Sequence, residues 1–182
     1  MRRFLLFAVP LFALCNLAAA QTDTIGLFTD AGYTECELND TGPGMVSVYV
    51  VHTATSGSVA SQFRVVGDAG VMLSYDGEST QWPLVIGNSQ TGVTVAYDGE
   101  CRFSDILVMT INYFASGSSA TCSTLRVMPD PSAPTGTIEV VNCGQSKLEA
   151  IGAFLVINSD GTCECGPSTQ FTNWGVIKAK YD

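Results

Sequence analysis

The stretches MVSVYVVHT (Met45–Thr53) and VASQFRVV (Val59–Val66) decide the fold. The first is rich in Val and Tyr and is apolar on both faces, which is typical of a central β-strand. The second alternates apolar residues with Gln62 and Arg64, which indicates a strand with one buried face. The intervening Thr55–Ser58 has the composition of a hairpin loop.

The same period of two recurs along the chain, and no helical period longer than a turn or two precedes residue 170. Ile106–Phe114 is the longest apolar run, and the three prolines of 129–136 predict a loop. We expect an all-β fold of nine or ten strands, a two-sheet antiparallel β-sandwich of jelly-roll, immunoglobulin or cohesin-like type. Unequal strand lengths disfavour the alternative, a barrel. The further predicted strands are Ile25–Thr29, Val71–Tyr75, Pro83–Ile86, Val93–Tyr97, Cys122–Met128, Thr137–Cys143 and Leu148–Ile157.

Several turns are predicted from glycine-containing tetrapeptides. The motif YDGE occurs at Tyr75–Glu78 and at Tyr97–Glu100, and its Asp-Gly pair is a strong hairpin signal. The four acids of the two copies are alternatively Ca²⁺ ligands, although they lack the dense oxygen donors of a dedicated calcium loop. Ser116–Ser119 carries another hairpin signal, and Gly144-Gln145 connects the last pair of strands.

Residues 1–20 are predicted to be a secretory signal peptide, with a positive start, a short apolar centre and the small-residue end Ala18–Ala20. The apolar part is shorter than the roughly 20 residues of a transmembrane helix. Cleavage after Ala20 also removes Cys15, and Leu14 before it disfavours a lipoprotein signal. We expect a secreted, cell-surface or periplasmic chain with a β-domain at 21–167, a C-terminal segment at 168–182 and no transmembrane helix.

The predicted mature chain is strongly acidic. The full sequence carries a formal charge of −9, and loss of Arg2 and Arg3 leaves six basic against 17 acidic residues, or −11. Such a surface repels nucleic acid and anionic membranes, because neither partner can release counterions to it.

Six cysteines remain after cleavage, and an even number in an exported chain predicts disulfides. Cys163 and Cys165 point to opposite faces of an extended chain, so we expect two different partners for them, with Cys143 as one candidate. A metal site built on Cys163, Cys165 and Cys143 is the alternative, but paired zinc-ligand spacing is missing. No cofactor is expected. The disulfide candidates are Cys36, Cys101, Cys122, Cys143, Cys163 and Cys165.

The C-terminal segment differs from the rest of the chain. Trp174, Ile177 and Tyr181 fall on one helical face, and Thr172 is a suitable N-cap. One hypothesis is a short helix that docks on the domain through Trp174. The other is an exposed sorting or interaction tag.

No catalytic set is evident in the sequence. His52 is the only histidine, and its position in a Val-rich strand favours a hydrogen-bonded core residue over a general base. A sugar platform would use aromatic residues near turns, with Trp82, Tyr75, Tyr97 and Tyr33 as candidates. For Trp82, a plug at the end of the core is the favoured interpretation. We therefore expect a protein that is not an enzyme.

Several motifs resemble those of a family of uncharacterised secreted bacterial proteins with disulfides. They are V-x-V-Y-V at Val46–Val50, the G-x-x-x-x-Q/E-F-R-V stretch at Gly57–Val65, and Pro129–Pro131. G-x-I-E-V-V-x-C at Gly136–Cys143, the I-N-x-x-x-x-C-x-C segment at Ile157–Cys165, and W-G-x-[IV]-K-x-x-Y at Trp174–Tyr181 complete the set. The family has no established activity to carry over. The early strands also resemble cohesin-like modules in fold pattern, which does not imply function.

These observations favour a secreted or cell-surface, non-enzymatic module with a structural, adhesive or protein-interaction role. Its partners would be further copies of itself, other envelope proteins or glycans. A carbohydrate-binding module is the second hypothesis, and a secreted hydrolase that uses a pair of acids is the third. Trp82, Trp174, Ile177 and Tyr181 are the candidate interaction residues.

Overall fold

A computed structural model describes residues 22–117 and 119–167, apart from the side chains of Thr55 and Pro167. Within these residues the chain forms strands and loops, so the all-β prediction is confirmed. None of the described residues lies in a helix long and apolar enough to cross a membrane. The strands are β1 (Thr24–Phe28), β2 (Glu37–Leu38), β3 (Pro43–Gly67), β4 (Leu73–Ser79), β5 (Leu84–Asn88), β6 (Gly92–Ala96), β7 (Arg102–Ser116), β8 (Ser123–Met128), β9 (Ile138–Asn142), β10 (Lys147–Ile157) and β11 (Gly166–Pro167).

The two stretches that decide the fold are one continuous strand. The hairpin predicted at Thr55–Ser58 is wrong, since β3 runs through it with a register shift against β7 between Ala54 and Ser58. Gly57 lies in this bulge with a φ of +81°. A Cβ there would come within 2.8 Å of Cys143 Sγ and of the Phe103 ring. The glycine therefore lets the strand bend under close neighbours instead of reversing.

Hydrogen bonding does not divide the strands into the two separate sheets that were predicted. β3 pairs with β1 and β7 in its first half and with β6, β9 and β8 in its second half. β10 similarly pairs with β9 and β1 first and with β8, β2 and β11 afterwards. The pairings β1–β10–β8–β3–β1 close a ring, because both long strands pass from one layer to the other.

The core lies inside this ring and is filled by alternate residues of the long strands. Val48 and Val50 of β3 are fully buried, as are Phe63 and its neighbour across the sheet, Val93. The predicted alternation of 59–66 is thus confirmed at Phe63 and Val65, which are buried, and at Gln62 and Arg64, which are half-buried. Val59, which was predicted on the buried face, is also half-buried. Burial of such side chains contributes roughly 1.5–3 kcal/mol each.

The predicted turns have different outcomes. At Tyr97–Glu100 a turn forms, and the Glu100 N–H donates to the Tyr97 carbonyl at 3.3 Å. At Tyr75–Glu78 the predicted turn is wrong, because Asp76-Gly77 forms a β-bulge inside β4 against β7. The hairpin predicted at Ser116–Ser119 is also wrong, since β7 pairs with β3 and β4 whereas β8 pairs with β3 and β10. The hairpin around Gly144-Gln145 is confirmed by antiparallel pairing of β9 with β10.

All six predicted cysteines form disulfides: Cys36–Cys165, Cys101–Cys143 and Cys122–Cys163. Cys163 and Cys165 have different partners, as predicted. The assignment of Cys143 to one of them is wrong, because the turn before β7 brings Cys101 to the end of β9. Cys36–Cys165 links the N-terminal strands to the end of the described chain.

Candidate functional site

A buried cluster of polar side chains surrounds the single histidine. His52 Nδ1 lies 3.0 Å from the Tyr97 hydroxyl, which donates to Ser61 Oγ at 2.8 Å. On the other side of the imidazole, Nε2 lies 3.5 Å from Asp23 Oδ2. His52 and Tyr97 are fully buried, and Asp23 and Ser61 are nearly so. The prediction of a hydrogen-bonded core histidine is confirmed.

Burial determines the protonation of His52 and Tyr97 in this cluster. It lowers the pKa of His52 below its usual 6.5, and the charge and hydrogen bond of Asp23 only partly oppose the shift. Burial likewise raises the pKa of the Tyr97 hydroxyl. A serine, a histidine and an acid thus lie in one cluster, in which the Tyr97 hydroxyl links Ser61 to His52, but all of them are buried. A substrate cannot contact these side chains, and their hydrogen bonds satisfy His52 Nδ1 and the Tyr97 and Ser61 hydroxyls inside the core.

The aromatic residues proposed for sugar binding do not form an open platform. Trp82 packs against the core, its Nε1–H donates to the Leu107 carbonyl at 2.7 Å, and its ring lies 5.0 Å from that of Tyr97. These contacts confirm the plug interpretation of Trp82. Tyr97 is buried, which contradicts its candidacy, while Tyr75 is exposed and Tyr33 half-buried.

The sites considered for metals have other roles. Cys163, Cys165 and Cys143 are consumed in disulfides, so they offer no thiolate and the proposed cysteine metal site is wrong. Of the acids considered for Ca²⁺, Asp98 and Glu100 both pair with Arg102, at 2.7 and 3.0 Å. Glu78 accepts a hydrogen bond from the Ser89 N–H at 3.0 Å.

An exposed apolar pair lies on strand β5. Leu84 is 54% exposed and Ile86 is 64% exposed, and both point away from the core on the same side of the strand. Among the described strands β5 pairs with β6 alone, so it is an edge strand. The sequence predicts a short strand at Pro83–Ile86, but its apolar run does not indicate that Leu84 and Ile86 face outward.

Neighbouring strands extend this pair into a face, which we call the β5–β6–β3 face. Leu84 pairs with Ala96, which pairs with Ala60, and Ile86 pairs with Thr94, which pairs with Gln62. Asp130 accepts a hydrogen bond from Gln62 Nε2 at 3.1 Å and so holds that amide in place. The face therefore has an apolar edge on β5, and its centre consists of small and polar residues on β6 and β3. Its members are Ala60, Gln62, Leu84, Ile86, Thr94 and Ala96.

Trp174, Ile177 and Tyr181 lie outside the described residues, as do the predicted C-terminal helix and the signal peptide. Of the candidate interaction residues, Trp82 alone can be placed, and it packs on the core.

The fold is similar to that of solved cohesin structures. A cohesin module from a Clostridium perfringens family 33 glycoside hydrolase is 10% identical, with 76% of this chain and 98% of that one covered at a TM-score of 0.52. A type II cohesin domain from the cellulosome of Acetivibrio cellulolyticus is 12% identical, with 76% and 96% covered at 0.50. No protein-family model and no curated protein sequence matches this chain. The described chain has a cohesin-like all-β fold, and at this identity the likeness concerns the fold alone.

Proposed function

We propose that this protein is an exported, non-enzymatic module that binds another protein through the β5–β6–β3 face. The observation that carries the proposal is the pair Leu84 and Ile86, two large apolar side chains more than half exposed on one edge strand. Leaving such side chains in water is unfavourable, and a partner that covers them recovers the apolar burial. The edge of β5 adds backbone N–H and C=O groups that a partner strand can pair with.

Further observations support a binding role. Two cohesin modules share the fold, and the described polar cluster around His52 is sealed from substrate. Three disulfides support an oxidising compartment outside the cytoplasm, as does the predicted signal peptide. The formal charge of −11 favours a neutral or basic partner surface over an acidic one.

The test compares Ile86→Asp with Met45→Asp. Met45 is a matched control, because it is 58% exposed on β3 in the part of that strand that pairs with β1 and β7. Each immobilised mature protein is exposed to proteins of the source organism's medium and envelope. A retained protein is then purified, and its affinity for each variant is measured by calorimetry. We expect Ile86→Asp to weaken binding at least about 30-fold, the effect of losing a 2 kcal/mol hot spot, while Met45→Asp binds like the wild type.

Equal binding of a purified partner by wild type and Ile86→Asp would refute the assignment of the face. Retention of no protein by any variant would refute the binding function itself. The remaining possible partner is a second copy of this protein. Sedimentation of the wild type over a range of concentrations tests for such a dimer, which Ile86→Asp should then abolish.

A further inference from the structure

A groove opens where β1 and β10 separate. The two strands pair in parallel at Thr24↔Ile151 and Ile25↔Gly152 and then diverge. The space between them has a volume of about 310 Å³. Its lining is mainly apolar and includes Leu27, Phe28, Cys36, Ala153, Phe154 and Gly166. The groove lies apart from the β5–β6–β3 face, whose residues do not contribute to its lining.

The chain itself passes along the rim of this groove just before the C-terminal segment. Gly166 is part of the lining, and β11 pairs with β10 at Ala153↔Pro167 and Phe154↔Gly166. The preceding residue, Cys165, is bonded to Cys36, another lining residue. A disulfide and a strand pairing therefore hold Cys165, Gly166 and Pro167, which directly precede residues 168–182, beside the groove.

The segment is long enough to return to the groove and carries suitable side chains. Trp174 lies eight residues after Gly166, and eight extended residues span at most about 29 Å. Residues 168–182 also contain Ile177 and Tyr181, which continue the apolar pattern of Trp174. A tryptophan side chain buries 150–250 Å² when enclosed, and an apolar groove provides that burial.

Charge also favours this occupant. Lys178 and Lys180 supply two of the six basic residues of the mature chain. Residues 22–53, which include the lining residues Thr24, Leu27 and Cys36, contain five acids and no Lys or Arg, and two of the five, Asp23 and Asp40, are buried. Two of these acids, Glu35 and Glu37, flank Cys36 and are exposed. The basic end of the segment is thus complementary to the acidic surroundings of the groove.

We propose that residues 168–182 dock on their own domain, with the Trp174 indole in the groove between β1 and β10. Tethering at the rim raises the effective concentration of the indole to the millimolar range, so weak intrinsic affinity suffices. The covalent anchor also means that only a short length of chain is ordered on docking. This proposal decides between the two hypotheses for the segment, and it does not depend on the proposed function.

The test uses the full mature chain carrying Trp82→Phe, so that Trp174 is the only tryptophan. Acrylamide quenching of its fluorescence is compared with that of the same protein carrying Ala153→Asp, which places a charge in the groove. Ala96→Asp is the matched control, because Ala96 is also a half-buried strand alanine and does not line the groove. We expect Ala153→Asp to raise quenching several-fold, whereas Ala96→Asp leaves it unchanged.

A second measurement covers the case in which Ala153→Asp does not fold. The methyl resonances of Ala153 and Ala96 are compared between the wild-type mature chain and Trp174→Ala, since an indole shifts only nearby methyl groups. We expect a shift at Ala153 alone. Equal quenching in all variants, or an unchanged Ala153 methyl, would overturn the proposal. Protection of Trp174 that increases with protein concentration, together with a dimeric mass, would assign the groove to a second copy and also overturn it.

Discussion

His52 shows how one residue connects composition, burial and pH response. It is the only histidine of the chain, and it is fully buried between Asp23 and Tyr97. Its folded pKa is lowered, so the unfolded chain binds one more proton than the folded chain between that pKa and about 6.5. Stability from this group is fully present above pH 6.5 and is lost as the pH falls below that value.

We therefore predict that the free energy of unfolding decreases as the pH falls from 6.5 toward the lowered pKa of His52, with a slope of at most about 1.4 kcal/mol per pH unit. In His52→Gln this slope should disappear, since no other described side chain has its usual pKa in this interval. Urea unfolding at several pH values measures both slopes. Parallel slopes in the two proteins would show that His52 is not the responsible group. The carboxylates whose pKa is lowered, such as Glu139, act only at lower pH.

At the scale of elements, β10 can pack against β8 because it carries a glycine. A Cβ at Gly152 would lie 2.3 Å from the Val127 carbonyl oxygen and 2.6 Å from Ile138 Cδ1. The Val127 carbonyl belongs to the backbone of the paired strand β8, so it cannot move away without disturbing that pairing. The close approach of β8 and β10 near the groove thus depends on the missing side chain.

We predict that Gly152→Ala destabilises the protein by about 1–3 kcal/mol, the usual cost of overpacking a close contact. Gly44→Ala is the control, because Gly44 is also a strand glycine and a Cβ there meets nothing within 4 Å. Its effect should be near zero or slightly stabilising. Chemical denaturation of both variants gives the comparison, and equal stability would contradict the close approach of β8 and β10.

Strand β3 illustrates what local sequence patterns miss. Thr55–Ser58 has loop composition, yet β7 and β9 pair with β3 next to it, so it forms a bulge within the strand instead of a turn. Asp76-Gly77 and Asp98-Gly99 have the same local sequence, but the first is a bulge beside β7 and the second is a turn. The choice depends on which strand lies alongside, and that is long-range information.

At the scale of the whole molecule, the disulfides close loops of very different length. Cys36 and Cys165 are separated by 129 residues, whereas Cys122 and Cys163 are separated by 41. In the chain-entropy model the longer loop contributes about 5 kcal/mol and the shorter about 4 kcal/mol. The Cys36–Cys165 link therefore constrains the unfolded chain most.

We predict that replacing both Cys36 and Cys165 by Ser lowers the free energy of unfolding more than replacing both Cys122 and Cys163. Each double variant keeps the other two disulfides, so the pair is a matched comparison. Urea unfolding under non-reducing conditions measures the difference. The reverse order would show that native contacts at Cys122–Cys163, and not loop length, dominate the stabilisation.

The sequence by itself determined the properties that depend on composition and local period. These are the all-β class, most strand positions, six paired cysteines, the buried histidine and the core position of Trp82. The tertiary structure decided which strands pair, and so the closed ring, the partner of Cys143, and the meeting of Asp23 with His52. It also decided that Leu84 and Ile86 face outward on an edge. The reason is physical: alternation of apolar and polar residues shows that a strand has two different faces, whereas only packing against distant strands determines which neighbours those faces meet.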